Sequence, residues 1–441
     1  MSGLRPRLLA TTDQTFSTEL DALLAWDVST DSVVNQRAAA IIERLRTEGE
    51  SALLELTHAL DQVRAASVAE LMLGPEDFRA AFDRIAAQER EALQTAAARI
   101  RAFHEQQKQP GWEFEDEQGN RLGQRVTPLD SVGLYVPGGQ AAYPSTVLMT
   151  AIPARVAGVG TLIMVSPTPG GVVNDLVLAA AHLAGVDCAY RVGGAQAIAA
   201  LAFGTAGIPK VDKIVGPGSS YVAAAKRLVY GQVGIDAIAG PSEILIIGDG
   251  SVDPDWIALD LFSQAEHDAA AQSILLTPDA GYRDAVLAAM NRAIADQPRA
   301  SLIADSIANR GALILTRSVD EAVDVANRIA PEHLELAVAE PRKLLPRLRH
   351  AGAVFLGARA SESLGDYVAG PSHVLPTFGT ARFSSPLGVY DFEKRSSLIE
   401  ISATGAEVLG RAASVLADGE GLNAHGDAAR ARIRGYGANQ E

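Results

Sequence analysis

The sequence predicts an α/β protein built on two parallel sheets, and three observations predict it. From residue 131 onward, short apolar runs bounded by glycine and proline alternate with segments of helical periodicity. The alternation comes in two series, one closing near residue 230 and the other opening at Glu243, which implies two sheets covered by helices. Residues 15–109 carry helical patterns, so a helical segment precedes both sheets.

Each element has its own signal. Residues 36–60 repeat apolar side chains at helical spacing, with Ile41, Ile42 and Leu45 before a break near Gly49 and Leu53, Leu54 and Leu56 after it. Residues 75–107 show a second long helical pattern, closed by Pro110-Gly111. Residues 112–127 read as a hairpin turning at Gly119-Asn120. In the first series, 132–136, 162–165, 190–192 and 213–215 are strands, and 174–184, 195–203 and 221–230 are helices. In the second, 244–247, 273–277, 312–315 and 353–356 are strands, and 254–266, 282–295 and 319–329 are helices. Beyond Gly365 the chain turns irregular and ends in helical patterns at 405–417 and 424–433.

Composition narrows the function. At 441 residues the chain exceeds one ordinary core, and its 48% apolar content excludes global disorder. No apolar run approaches the roughly 20 residues that cross a bilayer. Arg5 and Arg7 are not followed by the apolar stretch of a secretory signal, so the expected location is the cytoplasm. A net charge of −15 argues against nucleic acid or an anionic membrane as partner. Cys188 is the single cysteine, which excludes an intramolecular disulfide and a thiolate cluster. It lies in an expected buried strand and reads as a packing residue. Any metal would be held by His, carboxylate or amide groups.

Three glycine-rich loops each follow a strand and precede a helix: Pro137-Gly138-Gly139, Gly193-Gly194-Ala195-Gln196 and Gly216-Pro217-Gly218. Such loops let backbone amides approach a phosphate, but they also join strands to helices for steric reasons alone, and none matches G-x-G-x-x-G. Gln264 and His267 are three apart at a helix end and could grip one metal ion or form an ordinary polar pair. Glu332-His333 lies between a helix and a strand, as an acid–base pair or a surface turn. Asp366 and Gly370-Pro371-Ser372-His373 sit in a loop stretch rich in turn residues, and Glu420 and His425 precede a short helix. One Gln, two His and one Asp would make a nitrogen and oxygen site suited to zinc.

Taken together these segments resemble the histidinol dehydrogenase family. The resemblance runs through GLYVPGG at 133–139, YPS at 143–145, RVGGAQAIAA at 191–200, KVDKI at 210–214, AGPSE at 239–243 and SQAEHD at 263–268. It continues through APEHLE at 330–335, HVLPT at 373–377, FSSP at 383–386 and EGLNAH at 420–425. It implies Gln264, His267, Asp366 and His425 as zinc ligands, and Glu332 and His333 as the acid–base pair. Ser242, His333 and Glu420, with the zinc ligands, become substrate contacts. Tyr135, Gln196 and Ser219 fall where the family meets NAD.

The resemblance implies two incomplete Rossmann-like domains, at 131–240 for NAD binding and at 241–380. A helical segment over 1–130 would pack on the second of them. A C-terminal extension, 381–441, would cross an intertwined homodimer and complete the partner's site. The implied reaction is the zinc-dependent four-electron oxidation of L-histidinol to L-histidine through L-histidinaldehyde with two NAD, the last steps of histidine biosynthesis. A paralogous alcohol dehydrogenase, a zinc hydrolase and a silent binding protein are the rival readings. The chain departs from the family in Ser219, where Asn is usual, in Pro371-Ser372 before His373, and in Arg155, where Lys is common.

Overall fold

Uninterrupted apolar runs such as Ile244-Leu245-Ile246-Ile247 suit strands buried on both faces, and this run lies at the centre of a six-stranded sheet. The computed structural model describes residues 3–25, 32–138 and 142–433. The sheet runs in the order Arg7–Ala10, Gly311–Leu315, Gln272–Thr277, Glu243–Gly248, His333–Ala337, Ala353–Leu356, and every pairing is parallel. A second six-stranded sheet runs Met72–Leu73, Cys188–Tyr190, Thr161–Val165, Ser131–Tyr135, Lys213–Val215, Gly234–Ile235. It is parallel except where Met72–Leu73 pairs with Cys188–Tyr190. The expected α/β class with two parallel-rich sheets is what the chain adopts.

By contacts the chain divides into two units, Met1–Gln106 with Asp130–Phe392, and Gln107–Leu129 with Glu393–Glu441. Both six-stranded sheets belong to the first. Its N-terminal elements divide between the sheets. Leu9, Phe16, Leu20 and Leu23 join the core around Leu245 and Leu334. Ala38, Ile42, Leu45 and Leu53 instead pack against Ile198, Leu201 and Val222, so the helices Ser32–Glu48 and Glu50–Leu56 lie on the sheet of Ser131–Tyr135 rather than on the other one. Gly49 breaks them apart at φ 61°, where the sequence placed the break. The long helix expected over 75–107 is two, Pro75–Arg84 and Ala87–Glu105, because Ile85 and Ala86 turn extended.

The helix Pro144–Ala157 was not expected. It is buried nearly all round and so lacks the amphipathic stripe that marks a surface helix. Pro153 inside it cannot bond the Met149 carbonyl, and that oxygen receives the Ser372 hydroxyl at 3.4 Å instead.

In the second unit, Glu393–Glu400, Arg121–Pro128 and Trp112–Glu115 form a three-stranded antiparallel sheet. The expected hairpin turns at Gly119, φ 76°, with Asp116 accepting the Gln118 and Asn120 amides at 2.9 and 3.0 Å. Helices Ala403–Gly419 and Asn423–Ile433 pack together, the first capped by Ser402. No helix among the described residues is long and apolar enough to cross a membrane.

Candidate active site

The helix Val319–Ile329 ends at Ala330, which holds a left-handed φ of 55° without being glycine. Pro331 follows, and the turn delivers Glu332 and His333 into the start of the strand His333–Ala337. Both side chains are buried, so the pair is no surface turn. The neighbouring strand opens at Glu243, whose backbone holds both. Its amide donates to Glu332 Oε2 at 2.8 Å, and its carbonyl lies 3.0 Å from His333 Nδ1. With Nδ1–H bound to that carbonyl, the neutral ring keeps its lone pair on Nε2. Nε2 lies 3.5 Å from Asp366 Oδ1 and has no hydrogen-bond partner among the described residues.

A cavity of about 310 Å³ gathers the site, and Ser242, His267, Glu332, His333 and Asp366 all line it. The loops Pro137 and Pro217-Gly218, from the carboxyl ends of the other sheet's strands, line it too. The acid–base pair thus sits at the amino ends of its own strands, not at the carboxyl ends where open parallel sheets usually bind ligands. Gln264 is buried at the end of Pro254–Ala265. The hydrogen-bond network orients its amide nitrogen to Glu243 O and Glu362 Oε1, at 3.3 and 3.0 Å, and its oxygen to His267 Nδ1, at 3.2 Å. Gln264 and His267 are therefore neighbours, as their spacing implied, although His267 lies just past the helix. His373 anchors Nδ1 on the Asp366 carbonyl at 3.0 Å and meets Thr146 Oγ1 through Nε2 at 3.3 Å.

Burial dominates the electrostatics. It pushes Glu332 up to about 8, with help from the charges of Glu243 and Asp366 and against that of His333. It pushes Glu243 up to about 7. For His333 burial acts downward, but Glu332, Glu362 and Asp366 outweigh it and hold the ring well above its ordinary value. For Asp366 burial acts upward, but the close approach and charge of His333, with the charges of His373 and His267, prevail and hold the carboxyl below its ordinary value.

Glu362 was not anticipated. It is buried, and a ligand atom of His333, Glu362 and Asp366 each lies within 4.8 Å of the others, close enough to surround a cation. In the sequence Glu362 is one acidic residue in a serine-rich loop, and only tertiary burial distinguishes it. Glu420 and His425 lie in the second unit, between and at the start of its two helices, both exposed.

The expected cofactor contacts lie on the other sheet. Tyr135 and Gln196 are both buried. Tyr135 Oη accepts from Gly194 N at 3.1 Å, and its hydroxyl is pushed up to about 12 by burial. Asp61, from a π turn at Thr57–Asp61, accepts from Gly193 N at 3.1 Å and Gln196 Nε2 at 3.4 Å. Gln196 Oε1 has no partner among the described residues. Ser219 is exposed at the start of Ser220–Val229 and its hydroxyl caps nothing. A cavity of about 480 Å³ beside Pro137-Gly138, Pro167 and Arg191 opens at these strand ends. Gly139, part of the first glycine loop, lies outside the described residues.

Comparison with known proteins agrees along the whole length. The profile of the histidinol dehydrogenase family matches residues 26–433. A histidinol dehydrogenase of Pseudomonas fluorescens (strain Pf0-1) is 58% identical over 428 residues, covering 97% of each chain. One of Ralstonia nicotianae is 59% identical over 436 residues, covering 98% of this chain and 99% of that one. The crystal structure of histidinol dehydrogenase from Elizabethkingia anophelis superposes with a TM-score of 0.92 at 32% identity, covering 98% of this chain and 99% of that one.

Proposed function

The chain belongs to the histidinol dehydrogenase family, is an oxidoreductase of histidine biosynthesis, and, we propose, oxidises L-histidinol to L-histidine through L-histidinaldehyde with zinc and two NAD. The observation that carries this reading is the Glu332-His333 pair. One buried acid and one buried imidazole share a backbone anchor at Glu243, and the free Nε2 faces Asp366 beside Gln264 and His267.

The donor set fits zinc. Gln264 offers an amide oxygen, His267 an imidazole and Asp366 an ionised carboxylate, all oxygen or nitrogen donors to a borderline cation. We assign these three and His425 as the ligands. Bound there, zinc would supply a Lewis acid that anchors the substrate's imidazole and amine and a positive charge that lowers the pKa of neighbouring His333. The orphaned Gln196 oxygen and the uncapped Ser219 hydroxyl, with Tyr135, suit NAD, which would take up the hydrides. Residues 131–240 would form its binding domain and 241–380 the second α/β domain.

His333 Nε2 takes the proton from the substrate hydroxyl as hydride leaves the carbinol carbon, which yields the aldehyde. Glu332, in its ionised form, takes a proton from water as the water attacks the aldehyde carbon. As the water attacks, His333 returns its proton to the carbonyl oxygen and so frees Nε2. The resulting gem-diol gives one hydroxyl proton to His333 while a second hydride leaves. The carboxylic acid so formed ionises to the carboxylate, and Glu332 and His333 release their protons to solvent. Ser242 and Glu420 would hold the substrate, and an aldehyde retained in this cavity would be oxidised before it could escape to bulk solvent. The extension 381–441 would cross a homodimer and bring Glu420 and His425 to the partner's site, and the enzyme would work in the cytoplasm.

The test is stoichiometry. Zinc-loaded protein with limiting L-histidinol and excess NAD should yield two NADH per histidinol, and a chelator should abolish the signal. No NADH from metal-replete protein would reject histidinol as substrate and direct a panel of other alcohols to the same site.

A further inference from the structure

Behind the acid–base pair lies a second layer of carboxyls that the reaction above does not use. Glu335 follows His333 by two residues on one strand, so both side chains leave the same face of the sheet. It is buried, and its Oε1 accepts from the Glu362 amide at 2.7 Å. Asp260, on the helix that also carries Gln264, hydrogen-bonds the Glu335 carboxyl. Glu362 is buried too, and its carboxylate takes the Gln264 amide nitrogen at 3.0 Å, which leaves the Gln264 oxygen turned toward His267. Four residues along the same short helix, Asp366 reaches toward His333.

We propose that Glu335 is a positioning residue. By holding the Glu362 amide it fixes the helix that presents Asp366, and through Glu362 it keeps the Gln264 oxygen, not its nitrogen, aimed at the metal position. One carboxyl thereby ties together the strand of His333, the helix of Gln264 and the helix of Asp366. An amide rotates about its last bond and is set only by its partners, so a ligand glutamine needs such a fixture more than a histidine does. The inference rests on Gln264, His267 and Asp366 being metal ligands.

Two variants of the full chain test it. Glu335→Met keeps the side-chain length but removes the acceptor. Glu335→Gln keeps an acceptor oxygen. Zinc affinity is read by competition with a chromogenic chelator, zinc alone being the probe, and kcat and KM for L-histidinol are read at saturating zinc. Glu335→Met should bind zinc on the order of 10- to 100-fold more weakly and raise KM more than it lowers kcat, and Glu335→Gln should recover most of the affinity. Wild-type affinity in Glu335→Met, or equal losses in both variants, would overturn the role. If Glu335→Met does not fold, amide exchange in the wild type decides. A protected Glu362 amide supports the link, and exchange at the free-peptide rate removes it. Wild-type protein that neither binds zinc nor oxidises histidinol would sink the metal-site reading and this inference together. Zinc-binding, active wild type with indifferent variants would sink only the role of Glu335.

Discussion

Adjacent residues on a strand normally point to opposite faces. Glu332 escapes this because it precedes the strand, in the turn set by Ala330 and Pro331. Both side chains therefore converge on Glu243, and their roles separate by environment. Replacing His333 with Asn removes the base of both steps and should slow each by roughly 10²- to 10⁴-fold in single-turnover measurements. Replacing Glu332 with Gln should leave histidinol oxidation much faster than aldehyde oxidation, so NADH per histidinol falls from two toward one. A variant that lost the first step and kept the second would reverse the assignment. Both residues were legible as a pair in the sequence, and so were Gln264 and His267. What could not be read was Glu362 or Glu335. An acid in Ser361-Glu362-Ser363 looks like any solvated turn, and Glu335 looks like the polar half of an alternating strand. Their burial comes from elements far along the chain, and local pattern carries no trace of it.

Elements with a clear period or a glycine-bounded apolar run were mostly visible, as Gly194–Phe203 was although it buries every face, but Pro144–Ala157 and the amphipathic Ala300–Arg310 were not. The helix Val319–Ile329 buries one face and was placed to the residue, whereas Pro144–Ala157 buries every face and escaped notice. Arg7–Ala10 and Glu393–Glu400 are strands on sheet edges, short in one case and mostly exposed in the other, so neither shows a buried apolar run. The loops that shape the site were visible through glycine, and the structure separates two reasons for it. Gly216, at φ 112°, has no room for a side chain, since a Cβ would lie 2.1 Å from the Tyr135 carbonyl oxygen. Buried Lys226 and Asp236 pair with each other and grip its peptide from both sides, at 3.0 Å to the carbonyl and 2.7 Å from the amide. Gly231, at φ 98°, faces open space. Gly231→Ala should therefore cost only conformational strain, about 1–2 kcal/mol, with KM for NAD unchanged. Gly216→Ala must also part the loop from the strand end of Tyr135, so it should melt at a lower temperature than Gly231→Ala and raise KM for NAD. Equal melting temperatures would mean that the loop yields freely.

Across the whole molecule, the two parallel sheets followed from alternation alone, but the second unit did not. Its sheet pairs Arg121 with Glu400, a contact that no local pattern encodes. The same long-range assembly concentrates carboxyls where water is scarce, and this gives the metal-free protein a definite pH response. Burial raises Glu332 and Glu335 to about 8 and Glu243 to about 7, from an ordinary value of 4.5. Between 4.5 and those values the folded chain holds protons that the unfolded chain has released. Stability therefore falls as pH rises through that window, by about 1.4 kcal/mol per pH unit for each such proton. His333, raised by its carboxylate neighbours, adds to the fall, because its stabilising charge is present below its ordinary 6.5 and is lost as pH rises. Asp366 acts oppositely only at the acid end, where its lowered value would be crossed. His267 and His373, lowered by burial, oppose the fall only up to their ordinary 6.5, above which the unfolded chain has released those protons too. Chelator-treated protein should thus melt at a steadily lower temperature from pH 6 to pH 8, and Glu335→Gln should flatten the slope by one proton. A melting temperature that held constant or rose across that range would mean that the carboxyls are ionised in the folded state, held by cations the structure does not place beside them.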